Sequence, residues 1–276
     1  MPKKIVALIK SKGHHFYCVN KIHRALGIDL VIIEDKYRGK VSGFRGLQAK
    51  LAMGSKAPKN PVAPIRIKTK QAVQINNSVF GEDWYDLDAG LEIFYCKSIN
   101  DPEVENILKD RGVDILIDHG TSIVKNHVIA TAEIAINLHW GLSPYYRGTH
   151  CTEWALINWD PRNIGVTIHR LAKEIDGGDV VGQGRVDIHE NDSVDSINMK
   201  LTAKGTEILI DVLTFLHEGG ELNYTPQDYS LGYLTLNRQW SRSLRKHVKD
   251  IERKGLLSKI IKSPARKGKL PIVKFK

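Results

Sequence analysis

Continuous apolar runs and helically spaced apolar positions take turns along this chain. Ile5-Val6-Ala7-Leu8-Ile9 has no polar interruption, as in a central parallel strand buried on both faces. After the loop Ser11-Lys12-Gly13-His14-His15, the residues Phe16, Val19, Ile22 and Leu26 recur at helical spacing, Gly27 stops the helix, and Leu30-Val31-Ile32-Ile33 supplies a second strand. Parallel strands joined by a right-handed crossover are the geometry this opening predicts. From Tyr37 to Phe80 the pattern breaks down into a basic, irregular stretch interrupted by Gly43, Gly46, Gly54, Pro58, Pro61 and Pro64, with a helix expected only over residues 46–53. Such an insertion is either a substrate loop or a simple excursion.

Order resumes with a strand over residues 91–96. A helix follows, capped by Asp101 with Pro102 in its first turn and ended by Gly112. Asp114-Ile115-Leu116-Ile117 forms the next strand, Asp118-His119-Gly120-Thr121-Ser122-Ile123 the loop at its end, and residues 125–130 a helix or turn. The run Ile134-Ala135-Ile136 then leads into Asn137-Leu138-His139. Beyond it come a helix over 149–158, a strand over 164–169, a Gly-rich turn over 173–179 feeding another strand through Ile188, and a long helix from Asp192-Ser193-Val194 to about Leu216 that Gly219-Gly220 stops. The alternation predicts a doubly wound α/β fold with a mostly parallel sheet over residues 1–218. Residues 219–276 read as a short extension, a hairpin at Tyr229-Ser230-Leu231-Gly232-Tyr233-Leu234-Thr235-Leu236 followed by a basic helical stretch.

Composition narrows the classes. The 276 residues suit one large domain with a small appendage, and 42% hydrophobic with 26% charged residues is ordinary for a globular protein. No apolar run reaches membrane-spanning length, and the apolar segment after Met1-Pro2-Lys3-Lys4 is too short for a signal peptide, so a cytoplasmic protein without a membrane partner is expected. Cys18, Cys96 and Cys151 show neither disulfide nor zinc-ligand spacing. Much of the net charge of +10 comes from Arg238 to Lys276, a stretch that can meet nucleic acid, membrane phosphate or an anionic substrate or be a solvated basic helix. The first loop lacks Gly-x-Gly-x-x-Gly, which counts against a nicotinamide-dependent dehydrogenase. Lys12 at a helix N-terminus is a candidate for holding a substrate phosphate, or an ordinary loop lysine.

The chemistry concentrates around Asn137. Positions two apart on a strand share a face, so Asn137 and His139 put an amide and an imidazole side by side at a strand's carboxyl end, where open α/β sheets bind ligands. A metal reading of His139, His150, His169 and Asp176 lacks any close-set ligand pair, and no metal is expected.

Three segments in fixed order, Asn137-Leu138-His139, Pro144-Tyr145-Tyr146-Arg147-Gly148, and Gly165-Val166-Thr167-Ile168-His169 followed by Glu174-Ile175-Asp176-Gly177-Gly178-Asp179-Val180, resemble the formyltransferases that use 10-formyltetrahydrofolate. That family includes the methionyl-tRNA, glycinamide-ribonucleotide and sugar-nucleotide amine formyltransferases. The resemblance runs from the first strand to about residue 215 and implies a Rossmann-like core with a catalytic trio of Asn137, His139 and Asp176. It departs from the family at Gly141-Leu142-Ser143-Pro144, where Ser-Leu-Leu-Pro is usual. It further implies a folate pocket formed by Gly120, Thr121, Ser122, Ile123, Leu142, Glu174 and Ile175. Lys12, Tyr146 and Arg147 are the candidates for binding the acceptor. The chemistry is consistent: moving a formyl group between nitrogens develops an oxyanion, which the Asn137 amide or a protonated His139 can stabilise, and needs a proton moved, which an imidazole oriented by Asp176 can do.

The acceptor stays open. The short extension resembles the layout of sugar-nucleotide N-formyltransferases, which implies an anionic nucleotide-linked aminodeoxy sugar as the amine and a homodimer as the assembly. Methionyl-tRNA held by the basic tail, another small amine, or a non-catalytic folate or nucleotide-binding protein are the alternatives.

Overall fold

The computed structural model describes residues 2–35, 70–263 and 268–275. It divides into two compact units, Met1–Leu138 with Leu209–Glu221, and His139–Ile208 with Leu222–Lys276.

In the first unit five strands run parallel in the order β3-β2-β1-β4-β5: β1 (Ile5–Lys10), β2 (Leu30–Glu34), β3 (Ile93–Cys96), β4 (Val113–His119) and β5 (Ala132–His139), the last of which ends at the unit's boundary. Helices α1 (Gly13–Leu26), α2 (Lys70–Phe80), α3 (Pro102–Arg111) and the single turn α4 (Asn126–Ile129) lie between the strands in sequence. The predicted alternation holds because Ile5 to Ile9 of β1 and Leu30 to Ile33 of β2 are buried and apolar on both faces, a charged residue, Lys10 or the buried Glu34, entering only at each strand's last position. Strand order reverses between β1, paired with both β2 and β4, and the strands beyond them, so the crevice at the carboxyl ends of β1 and β4 is the switch point of the sheet.

One element differs from expectation here. Residues 70–80 fall in the stretch read as irregular, yet they form α2, with Val73 and Phe80 buried seven residues apart on one face. No Gly or Pro occurs between Pro64 and Gly81, so nothing in that segment opposes a helix. The helix expected over 46–53 lies outside the described residues.

The second unit holds an antiparallel pair, β7 (Gly165–Arg170) and β8 (Val180–Arg185), joined through the Gly-rich turn. It also holds β6 (Tyr146–Gly148), α5 (Cys151–Ile157) and the first turns of α6 (Val194–His217), whose residues from Leu209 belong to the first unit. The expected hairpin at 229–236 does not form. Instead β9 (Tyr233–Thr235) pairs in parallel with β6, Tyr146 opposite Tyr233 and Gly148 opposite Thr235. Parallel partners need a long connection, and here one of them lies inside the Pro144-to-Gly148 motif. Two helices close the chain: α7 (Arg242–Arg253), capped by the Ser241 hydroxyl, buries Val248 and Ile251, and α8 (Leu256–Lys262) buries Leu257 and Ile260.

Candidate active site

The strand β5 carries both Asn137 and His139. Asn137 is 7% exposed and pairs in register with Asp118 of β4 in the first unit. His139, the first residue of the second unit, meets Asp176 there: its Nδ1 is 3.4 Å from Asp176 Oδ2, while His169 Nε2 is 3.5 Å from Oδ1 of the same carboxylate. The Gly148 amide donates to Asp176 Oδ2 at 2.8 Å. On its other side His139 Nε2 lies 3.2 Å from the Tyr146 carbonyl and 3.6 Å from Cys151 Sγ. Both ring nitrogens therefore face an oxygen that can only accept. A neutral imidazole satisfies one of these and an imidazolium satisfies both.

Burial opposes that second proton. It is the largest influence on His139 and pushes the imidazole below its ordinary value, against the pull of Asp176. Burial would raise the Asp176 carboxyl, but the charge of His139, the hydrogen bond and charge of His169 and the Gly148 amide outweigh it and hold the group well below the usual carboxylate range. At neutral pH the pair is an ionised carboxylate beside a neutral imidazole, poised to take one proton. Burial likewise pushes the Cys151 thiol well up, so it remains protonated.

Backbone geometry fixes the pair. Asp176 sits at φ 48°, a left-handed conformation stabilised by the turn around it. Gln227 Nε2 donates to the carbonyls of Asp176 (3.0 Å) and Gly178 (2.5 Å), and the Tyr229 hydroxyl to Gly177 O at 2.5 Å. The loop between His139 and Tyr146 hangs from Thr167, whose hydroxyl donates to Gly141 O (2.6 Å) and accepts from Ser143 N (3.0 Å) and Gln183 Nε2 (2.9 Å). The departure Gly141 has a steric reason. A Cβ there would stand 2.4 Å from His139 Nε2 and 2.5 Å from Tyr146 O, so a serine does not fit beside this histidine without movement.

The remaining predicted residues divide between the units. In the first, Lys12 is exposed at the N-terminus of α1, Gly120 has φ 76°, Thr121 donates to Asp118, Ser122 donates to Glu34, and Ile123 is 63% exposed. In the second, Leu142 is fully buried, Glu174 is exposed and Ile175 half-buried. Tyr146 is buried with its hydroxyl donating to Asp160 Oδ2 at 2.8 Å. Arg147 is 7% exposed, its guanidinium lies 4.1 Å over the Tyr229 ring, and its buried Nε has no hydrogen-bond partner among the described residues. Of the weighed metal ligands, His150 is held by Glu153 at 3.0 Å and stacked on Trp240. Sequence reasoning passed over Thr167, Gln183 and Cys151 as parts of this site, and it passed over His14, His15 and His119, whose ligand atoms lie within 4.8 Å of one another. The one signal for the last group was that His14 and His15 come just after the end of β1 and His119 is the last residue of β4, the parallel neighbour of β1.

Residues 54–213, more than half of the chain, match the family model described as formyl transferase. The chain belongs to that family. A methionyl-tRNA formyltransferase of Streptococcus pneumoniae (strain Hungary19A-6) is 30% identical to this formyltransferase chain over 144 residues, 52% of this chain and 46% of the relative. The chain thus spans about half the length of the curated relatives it matches. Among solved structures, a 4-N formyltransferase from Francisella tularensis is 18% identical, covering 86% of this chain and 78% of its own with a TM-score of 0.53. Phosphoribosylglycinamide formyltransferase from Anaplasma phagocytophilum is 17% identical, covering 86% and 100% with a TM-score of 0.54. At these identities the likeness is one of fold, and the α/β architecture with its mostly parallel sheet is shared.

Proposed function

We propose that this chain transfers a formyl group from 10-formyltetrahydrofolate to a primary amine, most suitably the amino group of a nucleotide-linked aminodeoxy sugar. The observation that carries the reading is the His139–Asp176 pair, a neutral imidazole held beside an ionised carboxylate within the family's matched segment. The folate supplies an electrophilic formyl carbon bound to nitrogen. The proton released as the amine attacks reaches His139 Nδ1 by relay through the Asp176 carboxylate 3.4 Å away, which then stabilises the imidazolium, while the Tyr146 carbonyl accepts the Nε2–H. The same imidazolium returns the proton to the departing nitrogen. Asn137, two residues earlier on the same strand, directs its amide at the formyl oxygen as that oxygen gains charge.

Residues of the loop after β4 fit the donor: Ile123 is an exposed large hydrophobe suited to the face of a pterin, and backbone groups of residues 120–123 suit its polar edge. Leu142, Glu174 and Ile175, all in the second unit, are the further residues proposed to contact the folate. Arg147 supports an anionic acceptor. A buried guanidinium is costly without a counter-charge, and none lies within ion-pair distance of it among the described residues. Tyr146, beside Arg147 in the chain, and Lys12 of the first unit are the other residues proposed to contact the acceptor. Leu231, Tyr233 and Leu234, between 40% and 54% exposed, support a homodimer, which sedimentation of the purified chain would test.

A second reading is favoured by the 30% identity to methionyl-tRNA formyltransferases and by the basic helices of the extension, namely formylation of an aminoacyl-tRNA. No helix among the described residues is long and apolar enough to cross a membrane. Incubating the chain with 10-formyltetrahydrofolate and a panel of amines, then weighing the products, tests both readings. Gain of one formyl group by an aminosugar nucleotide supports the first. Gain by methionyl-tRNA, with binding that falls steeply with salt, supports the second. No formylated product from any amine refutes the enzyme.

A further inference from the structure

We propose that His14, His15 and His119 form a three-imidazole site for a divalent transition metal of the zinc class. All three belong to the first unit, and they meet at its switch point: His14 and His15 lie in the first turn of α1, directly after β1, and His119 ends β4, the parallel neighbour of β1. Each offers one ring nitrogen, and these atoms lie within 4.8 Å of one another. Tetrahedral zinc with nitrogen ligands at about 2.0–2.1 Å needs them roughly 3.4 Å apart, so rotations of the rings about their side-chain bonds close the gap. A glycine borders the His15 ring. A Cβ on Gly120 would stand 2.8 Å from His15 Nε2, so only a residue without one lets the loop after β4 pass this nitrogen.

The outward hydrogen bonds of the rings match those of metal ligands. His15 Nδ1 lies 2.7 Å from the Lys10 carbonyl and 3.1 Å from the Lys10 amide; the shorter contact, to the carbonyl, makes Nδ1 the donor and turns the Nε2 lone pair inward. His119 Nδ1 likewise donates to Leu138 O at 3.2 Å. A ligating histidine usually gives its second N–H to a carbonyl or carboxylate, which sets the tautomer. Neutral nitrogen ligands select zinc, cobalt, nickel or copper over magnesium or calcium, and three of them leave a fourth position open. With no carboxylate in the set and the Lys12 ammonium nearby, the bound dication keeps its full charge. The fourth ligand is then a water or an anionic oxygen.

The competing explanation is a packing cluster, since the rings also meet edge to face, His14–His15 at 4.2 Å and His15–His119 at 4.5 Å between centroids. Titrating the metal-stripped full chain with cobalt(II) and zinc(II) separates the two. The expected result is one equivalent of cobalt with the visible absorption of a four-coordinate centre, displaced by zinc, and an X-ray absorption shell of three imidazole nitrogens at about 2.0–2.1 Å. His14→Gln, His15→Gln and His119→Gln should each weaken binding by more than about 100-fold, since loss even of an outer partner costs 10- to 100-fold. The exposed controls His189→Gln and His247→Gln should leave it unchanged. Should the buried His15→Gln fail to fold by circular dichroism, half-buried His14→Gln decides the matter. Failure to bind one equivalent, binding that survives all three substitutions, or loss in the controls would overturn the site and leave an aromatic packing cluster only. The readout is metal binding, independent of which amine the chain formylates.

Discussion

Asp176→Asn isolates the electrostatic part of the proposed mechanism. Asparagine has the same shape, tolerates the left-handed backbone at φ 48°, and retains an oxygen for the Gly148 amide at 2.8 Å, so the turn should survive. What is lost is a negative charge 3.4 Å from His139 Nδ1. At an effective dielectric of about 20, unit charges at that separation interact by roughly 5 kcal/mol. The carboxylate spreads its charge over two oxygens and shares it with His169 at 3.5 Å, so the usual range of about 1–3 pKa units for a close ion pair is the better measure. His139, already lowered by burial, should fall by that much again.

Two signatures follow. The plateau of kcat/KM should drop by about 10- to 1,000-fold, at one decade per 1.36 kcal/mol of imidazolium stabilisation lost. The acidic limb of the pH profile should move to lower pH, because a weaker base stays neutral further into acid. Nitrogen-detected NMR of the imidazoles follows the same shift without any substrate. Stability supplies an independent check. The carboxyl of Asp176 is depressed in the folded state, so its contribution is fully present above the unfolded value near 3.9 and is lost as pH falls below it. The gap in unfolding free energy between wild type and variant should therefore be constant at neutral pH and shrink in acid. An unchanged plateau in a folded variant, or an acidic limb moved upward, refutes the assignment of Asp176 as the partner of a protonating His139.

Other substitutions probe the surroundings. Gly141→Ser should cost about 1–3 kcal/mol in urea unfolding and depress turnover, because its Cβ collides with His139 Nε2 and Tyr146 O; wild-type behaviour in both would show that the loop is not tight. Tyr146→Phe strips a donor from buried Asp160, which keeps the Asn163 amide at 2.7 Å, and should cost about 1–3 kcal/mol; a raised KM at unchanged stability would instead place the hydroxyl on the acceptor. Gln227→Ala removes two hydrogen bonds from the Asp176 turn and should lower kcat by roughly tenfold while KM for the amine changes little, with kinetics indistinguishable from wild type arguing against a positioning role.

The sequence was most legible where one physical requirement acted locally. Ile5 to Ile9 and Leu30 to Ile33 could be read as buried strands because both their faces are apolar, and Asn137 and His139 could be placed at a strand end because β5 stops there. What escaped depends on which strands become neighbours. Tyr146–Gly148 and Tyr233–Thr235 are each three residues long, too short for any periodicity, and only their mutual pairing makes them strands. His14 and His119 are separated by more than a hundred positions and meet through the β1–β4 register. Cys151 Sγ stands beside His139 because a three-residue strand returns the chain to it, a distance no spacing rule encodes.

Those long-range pairings change what the extension is for. Within the second unit, residues after Leu222 hold the two segments that carry the candidate chemistry. Gln227 and Tyr229 hold the carbonyls of Asp176, Gly177 and Gly178, while Tyr233 N donates to Tyr145 O at 2.9 Å and Thr149 N to Thr235 O at 2.8 Å. The Tyr229 ring also underlies the Arg147 guanidinium. A non-glycine residue in the left-handed region costs about 1–3 kcal/mol and persists only where its surroundings over-determine it. For Asp176 that excess of restraint comes from the extension on one side and from Gly148 on the other. The bond between Asp176 Oδ2 and the Gly148 amide then joins two loops that are each already pinned, which is how a carboxylate on a Gly-rich turn can be held at a fixed distance from an imidazole.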